Sequence, residues 1–220
     1  MSKKIKIRGI IIKESPVGES DKYLTIFTKD RGKITIRARG AKNAKSKFLT
    51  AQMFSYCDFV CFHGGTGTGF LSLTQVELIE SFYNLRIDYD RLMIAYDIAK
   101  IIDKYMAGSL DDVTDPIDSS FILLLLIKSF LVLSKNKIDK ELIYNIFRIK
   151  FLQILGLAPH ADNGLVHTEY DNIKINNTLQ YAINYILTQS IDTVFNFNID
   201  ESALTHLSKI CDVLVKSLDI

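Results

Sequence analysis

Tryptophan is absent from the 220 residues, and proline and cysteine occur only three times each. Cys57, Cys61 and Cys211 cannot make a paired disulfide framework, and no two are spaced Cys-x-x-Cys. Cys57 and Cys61 lie four apart in a strand-like run, which places them on one face about 13 Å apart. That separation is too wide for a disulfide, so buried thiols in a reducing compartment are expected. Long apolar runs are also missing. The greasiest, Phe121 to Ile127, ends at Lys128, far short of the ~20 residues that cross a bilayer. Arg8 and Lys13 interrupt the early apolar residues, so no secretory leader is expected. The expected location is the cytoplasm, with no membrane partner.

Catalytic constellations are equally scarce. Gly64 to Gly69 lacks the Gly-Lys-Ser/Thr of a phosphate loop and opens no helix, so it reads as a hairpin loop. His160 and His167, with Asp162 and Glu169 nearby, resemble metal ligands only weakly, and a surface loop is the stronger reading. His63 and His206 have no matching ligand nearby, and no Ser, His and Asp fall in a nucleophile context. No enzyme, cofactor or metal is expected.

What the chain does have is lopsided charge. The net charge is +2, yet residues 1–50 hold 14 Lys and Arg against 4 Asp and Glu, a net of +10, and the other 170 carry −8. Within Lys33 to Arg39, period two puts Ile34, Ile36 and Ala38 on one face and Lys33, Thr35, Arg37 and Arg39 on the other. A small, basic segment follows, with Lys42, Lys45 and Lys47, and reads as a mobile loop. A solvated edge strand explains such cations blandly. The functional reading is a surface that follows nucleic-acid phosphates.

In chain order, strands are expected over 4–14 (with a bulge at Gly9), 21–28, 32–39, 54–63 and 70–78, with a turn at 15–20. Five short strands with a longer third connection suit a Greek-key barrel of the OB type. Such barrels bind oligonucleotides across strands two and three, where Lys22, Lys33, Arg37, Arg39 and Lys42 fall. Tyr23, Phe27 and Tyr56 are candidates for base stacking, although Tyr23 and Phe27 share a face that a small barrel often buries. Helical spacing then takes over at about 88–106, 115–133 (apolar on most sides, hence a buried centre), 140–155, 178–188 and 200–218, with a loop at 160–175. The expected architecture is α+β and multidomain: a five-stranded OB-fold barrel over 1–80, then an all-α domain over 81–220.

Particular blocks resemble a known family. Arg8 to Lys13 (RGIIIK), Gly18 to Thr28 (GESDKYLTIFT), Gly32-Lys33 and Ala38 to Lys42 (ARGAK) are similar to the opening of RecO, the bacterial recombination mediators. Leu73 to Leu78, Glu80 and Phe82 resemble that family's barrel exit, Phe147 to Pro159 its signature helix, and Lys216 to Leu218 its C-terminus. The resemblance implies a protein that binds single- and double-stranded DNA and anneals complementary strands. It also implies action with RecR to load RecA onto strands coated by single-stranded-DNA-binding protein. Lys33, Arg37, Arg39 and Lys42 are then the main phosphate contacts, Lys45 and Lys47 mobile reinforcement, and Arg8 and Lys22 further contacts.

Two departures accompany it. Many relatives carry four zinc-binding cysteines after the helix that ends Gly-x-x-Pro, and residues 160–175 hold none, so the zinc module is absent. The family helix usually has Glu and Arg where Arg148 and Lys150 stand. The resemblance also implies a site for the acidic tail of single-stranded-DNA-binding protein. Its receptor needs an apolar groove with a cation at the rim, and Lys150, among Ile143, Ile146 and Ile154, is the first candidate. Arg148 is the second, expected beside Glu141 at the surface. The rival readings from the residues are an RNA-binding OB protein and a non-enzymatic protein adaptor.

Overall fold

The computed structural model describes residues 4–63, 71–107, 116–135, 137–167 and 172–219. The glycine run at 64–69, Glu169 and the expected helix start at Asp115 lie outside the described residues.

Five strands, β1 (Lys4–Val17), β2 (Asp21–Thr28), β3 (Gly32–Ala38), β4 (Tyr56–His63) and β5 (Leu71–Glu80), close a barrel in the order β1-β2-β3-β5-β4. All pairings are antiparallel except β3 with β5, where Ile36 meets Leu71 and Arg37 meets Ser72. This is the OB fold. Its core is what period two demands: Leu24 and Ile26 of β2, Ile34, Ile36 and Ala38 of β3, and Cys57, Phe59 and Cys61 of β4 all point inward.

β1 runs three residues further than its sequence suggests. Ser15 and Pro16 pair with Tyr23 and Lys22, and the turn is confined to Gly18–Ser20, where Gly18 takes φ 55°. The bulge lies between Ile11 and Lys13 rather than at Gly9. Gly9 answers a different need: a Cβ there would stand 2.3 Å from the Phe27 carbonyl oxygen.

Helices follow: α1 (Tyr83–Arg86), α2 (Tyr89–Tyr105), α3 (Pro116–Lys135), α4 (Lys140–Ile154), α5 (Asn177–Thr188) and α6 (Glu201–Lys216). α1 is one short turn that the periodicity does not show. Asp139, Asn176 and Asp200 cap the N-termini of α4, α5 and α6 with side-chain oxygens. Residues 160–175, expected as a loop, contain a three-stranded antiparallel sheet of β6 (His160–Asp162), β7 (Leu165–His167) and β8 (Asn172–Lys174). Three-residue strands give too little alternation to register in the sequence.

The chain forms two compact units: Met1–Tyr83 with Ala95–Leu123, and Asn84–Ile94 with Leu124–Ile220. In the first, Ile10, Ile12 and Phe27 are buried although they stand outside the barrel core. Tyr96, Ala99 and Asp103 of α2 share a crevice with Ile12 and Met53 on that outer side, and Tyr96 meets Phe54 edge-on with centroids 5.0 Å apart. In the second unit α4 is the buried helix, with ten buried residues that include Arg148 and Lys150. α3 is apolar but exposes Phe121 and Leu124, so it is not buried on every side.

Candidate nucleic-acid interface

The outer face of β2 and β3 pairs Tyr23 with Arg37, Thr25 with Thr35 and Phe27 with Lys33. Its two ends have different fates. At the Phe27 end the face is covered. Phe27 is fully buried, so it cannot stack on a base. The Lys33 N–H donates to the Ala107 carbonyl at 3.3 Å. Its ammonium donates to the Asp103 carbonyl, and to Asp103 Oδ1 at 3.3 Å, while Lys13 reaches Asp103 Oδ2 at 2.8 Å. Burial would raise the Asp103 carboxyl; hydrogen bonds from Lys13 and Lys33 outweigh it and hold the group below the usual carboxylate range. Lys33 thus sits where the last turn of α2 presents its unpaired carbonyls, a favourable place for a cation.

The other end is organised by Asp21. Its Oδ2 accepts from Arg37 Nε at 3.0 Å and Nη2 at 2.8 Å. Its Oδ1 accepts from the Gly40 N–H at 2.8 Å and from Ser20 Oγ at 3.3 Å. The Gly40 amide and the Arg37 guanidinium hold this carboxyl below its ordinary range. Lys22 pairs with Glu14 at 2.6 Å. Beyond Gly40, which takes φ 68°, the Lys42 N–H donates to the Ser20 carbonyl at 2.9 Å and its ammonium to the Gly18 carbonyl at 3.2 Å. Further along, Phe48 and Ala51 enter the barrel core. Phe54 and Ser55 then exchange backbone hydrogen bonds with Ile11 at 2.8 and 3.1 Å. The segment expected to be mobile is a chain of turns fastened at both ends.

Within residues 39–47, four cations remain outward. Arg39, Lys42, Lys45 and Lys47 are exposed, and none has a carboxylate partner among the described residues. Lys47 lies over the Phe48 ring at 5.1 Å. Arg8 stands about 30 Å along β1 from the 18–21 turn if the strand were straight, on a groove that Lys47 also lines. It forms a two-pronged ion pair with Asp58 at 2.7 and 2.6 Å, which raises its own affinity for a proton and lowers that of Asp58. The groove there, about 830 Å³, is balanced in charge: Lys6, Arg8 and Lys47 against Asp30, Asp58 and Glu77. Tyr56, half-buried, lines a smaller crevice of about 300 Å³ with Arg8 and Lys29.

In the second unit Arg148 is near enough to act on the charge of Glu141, as expected, but it is buried rather than at the surface. It pairs with Asp212 and Asn145 and lies 4.2 Å over the Tyr144 ring. Lys150 donates to Gln153 Oε1 at 2.8 Å and to the Leu187 and Gln189 carbonyls at 3.2 and 2.6 Å, which end α5. Burial pulls its ammonium below the usual lysine range. His160 and His167 flank Asp162 at 3.4 and 2.6 Å, yet among the described residues no group of three metal-ligating side chains is arranged to hold an ion. Among those residues, too, no helix is long and apolar enough to cross a membrane. Asp21 is not among the residues that charge pattern or family resemblance singles out. Its signal was an Asp directly after a Gly-Glu-Ser turn, a residue type that readily accepts backbone N–H groups at such bends.

Residues 1–82 match the family model described as Recombination protein O N terminal. Curated relatives named DNA repair protein RecO match much more of the chain. That of Acetivibrio thermocellus is 29% identical over 96% of this chain and 90% of its own length. Those of Alkaliphilus metalliredigens and a Thermoanaerobacter species are 36% and 30% identical over 71% and 77% of this chain. The chain spans 60% and 65% of those two relatives, under two thirds of their length. The barrel matches that model and one of these relatives aligns along 96% of the chain, so what the chain is similar to, in its strands and its helices alike, is the RecO proteins of DNA repair.

Proposed function

We propose that the protein serves DNA repair by binding DNA strands through Arg39, Lys42, Lys45 and Lys47, with Arg37 behind them, and that it does so without catalysis. The observation that carries this reading is the four outward cations on a fastened loop, beside cations that are already neutralised. Lys33, Lys22 and Arg8 hold the first unit together and contribute little to phosphate contact. The DNA-repair name of the relatives and the OB fold support the same reading. The finer activities are carried by the family resemblance: annealing of complementary strands, action with RecR, and loading of RecA on strands coated by single-stranded-DNA-binding protein. For an acidic tail, Lys150 and Arg148 are second-line candidates, because a tail carboxylate would compete with the carbonyls ending α5 or with Asp212.

The test is a salt titration of single-strand binding. Each phosphate neutralised contributes about 0.7 to the log–log slope. Replacing Arg39, Lys42, Lys45 and Lys47 by Ala is expected to flatten that slope by about 2.8 for every oligonucleotide sequence. Lys33→Ala is expected to leave it unchanged. An unaltered slope in the fourfold variant would move the interface elsewhere.

A further inference from the structure

We infer that Asp21 is the positioning residue of the nucleic-acid surface: its one carboxylate fixes Arg37 and Gly40 together, and so sets the direction in which Arg39 leaves the barrel. The inference rests on the proposed DNA-binding reading and says how that surface is prepared. Arg39 lies between two tethers. Its predecessor by two is held by both guanidinium contacts to Asp21 Oδ2, at 3.0 and 2.8 Å. Its successor Gly40 is held through the backbone at 2.8 Å. Two residues further on, Lys42 is held by the carbonyls of Ser20 and Gly18, at 2.9 and 3.2 Å. The short turn between β1 and β2, with Asp21 at its end, is therefore a bracket that carries residues 37–42 on five contacts.

A carboxylate beside a phosphate track is at first sight the wrong charge. A purely electrostatic view has Asp21 repelling the ligand and masking Arg37. The geometry points the other way. Asp21 is 14% exposed on its side chain and turns both oxygens to its own chain, so its negative charge is spent on Arg37 and an amide. What it supplies is order before binding. A loop already fixed does not lose its backbone freedom when the ligand arrives.

These two views give opposite signs. Single-strand binding is measured against salt for the wild type, Asp21→Ala, Asp21→Asn and Asp21→Glu, at a temperature where melting curves show each variant folded. Positioning is a conformational term, so Asp21→Ala is expected to shift the whole log–log line down about tenfold at unchanged slope, the cost of re-ordering about one residue. Asp21→Asn keeps an acceptor for Gly40 without the Arg37 pair and is expected to fall between. Asp21→Glu, which restores charge and both acceptors, is expected to recover part of the loss. Tighter binding with a slope steeper by about 0.7 in Asp21→Asn would show that the carboxylate only masks Arg37, and would overturn the inference. Superimposed lines would overturn it as well. Absence of binding by the wild type would instead defeat the DNA-binding reading itself.

Discussion

Replacing Lys150 by Met asks what a buried cation contributes when no carboxylate faces it. Lys150 is 5% exposed. Its ammonium serves the C-terminal end of α5, where the last carbonyls have no partner within the helix. Met keeps the stem and removes the three donations to Gln153, Leu187 and Gln189. The Leu187 carbonyl retains Gln153 Nε2 at 2.9 Å, but the Gln189 carbonyl loses its side-chain donor. A buried acceptor stripped of its partner costs ~1–3 kcal/mol. Release from holding an ammonium out of water offsets some of that. The expected net is about 1 kcal/mol of destabilisation, or a fall in melting temperature of about 2–4 °C for a chain of this size. Hydrogen exchange should quicken at the end of α5, with DNA affinity untouched. The pH dependence has a definite sign. The folded value lies below the ordinary 10.5, so between the two the unfolded chain binds the extra proton, and this lysine's contribution to stability rises with pH. The gap between wild type and Lys150→Met should therefore widen as pH climbs toward 10. A variant melting at or above the wild-type temperature would refute the reasoning, because it would mean that dehydrating the ammonium outweighs all three hydrogen bonds.

Gly9→Ala should loosen β1 from β2, since the new Cβ would meet the Phe27 carbonyl at 2.3 Å and Ile26 Cγ2 at 2.7 Å. A loss of about 2 kcal/mol is expected from such overpacking, read as a lower urea midpoint at constant slope, and an unchanged midpoint would contradict the close approach. The Gly40 amide should report on Asp21 through pH. Because that carboxyl is held below its ordinary 3.8 in the folded chain, the tether is complete above that value and is lost as pH falls through the depressed one. A midpoint for Gly40 at or above the ordinary value would mean that the hydrogen bond is not formed in solution.

The barrel was legible because β2, β3 and β4 each keep one apolar face, so inward residues such as Leu24, Ile36 and Phe59 follow from alternation alone. Helices with an Asp or Asn cap before them were legible too. Side-chain pairing was not. Lys33 and Arg37 are equivalent on a strand diagram, yet one is fixed by a helix end seventy residues away and the other by a turn sixteen residues before it. Arg148 and Lys150 stand in a helix whose apolar stripe is not wide enough to announce burial on every side. Only the packing of α5 and α6 on α4 makes them interior. A helix wheel shows the residues of one helix, whereas burial is decided by the neighbours.

The first compact unit draws its outer layer from residues 95–123, which emerge only after the five strands are complete. On the ribosome the barrel therefore exists for a time without its cover. Ile10, Ile12 and Phe27 wait on the outside for α2 to arrive, and the carbonyl that will hold Lys33 has not yet been made. At ~5–20 residues per second, the ~40 residues from Glu80 to Leu123 take about 2–8 seconds to appear. During that interval the growing chain offers an apolar strand face to its surroundings, and the stretch that matches the family model is not by itself the piece that finishes folding.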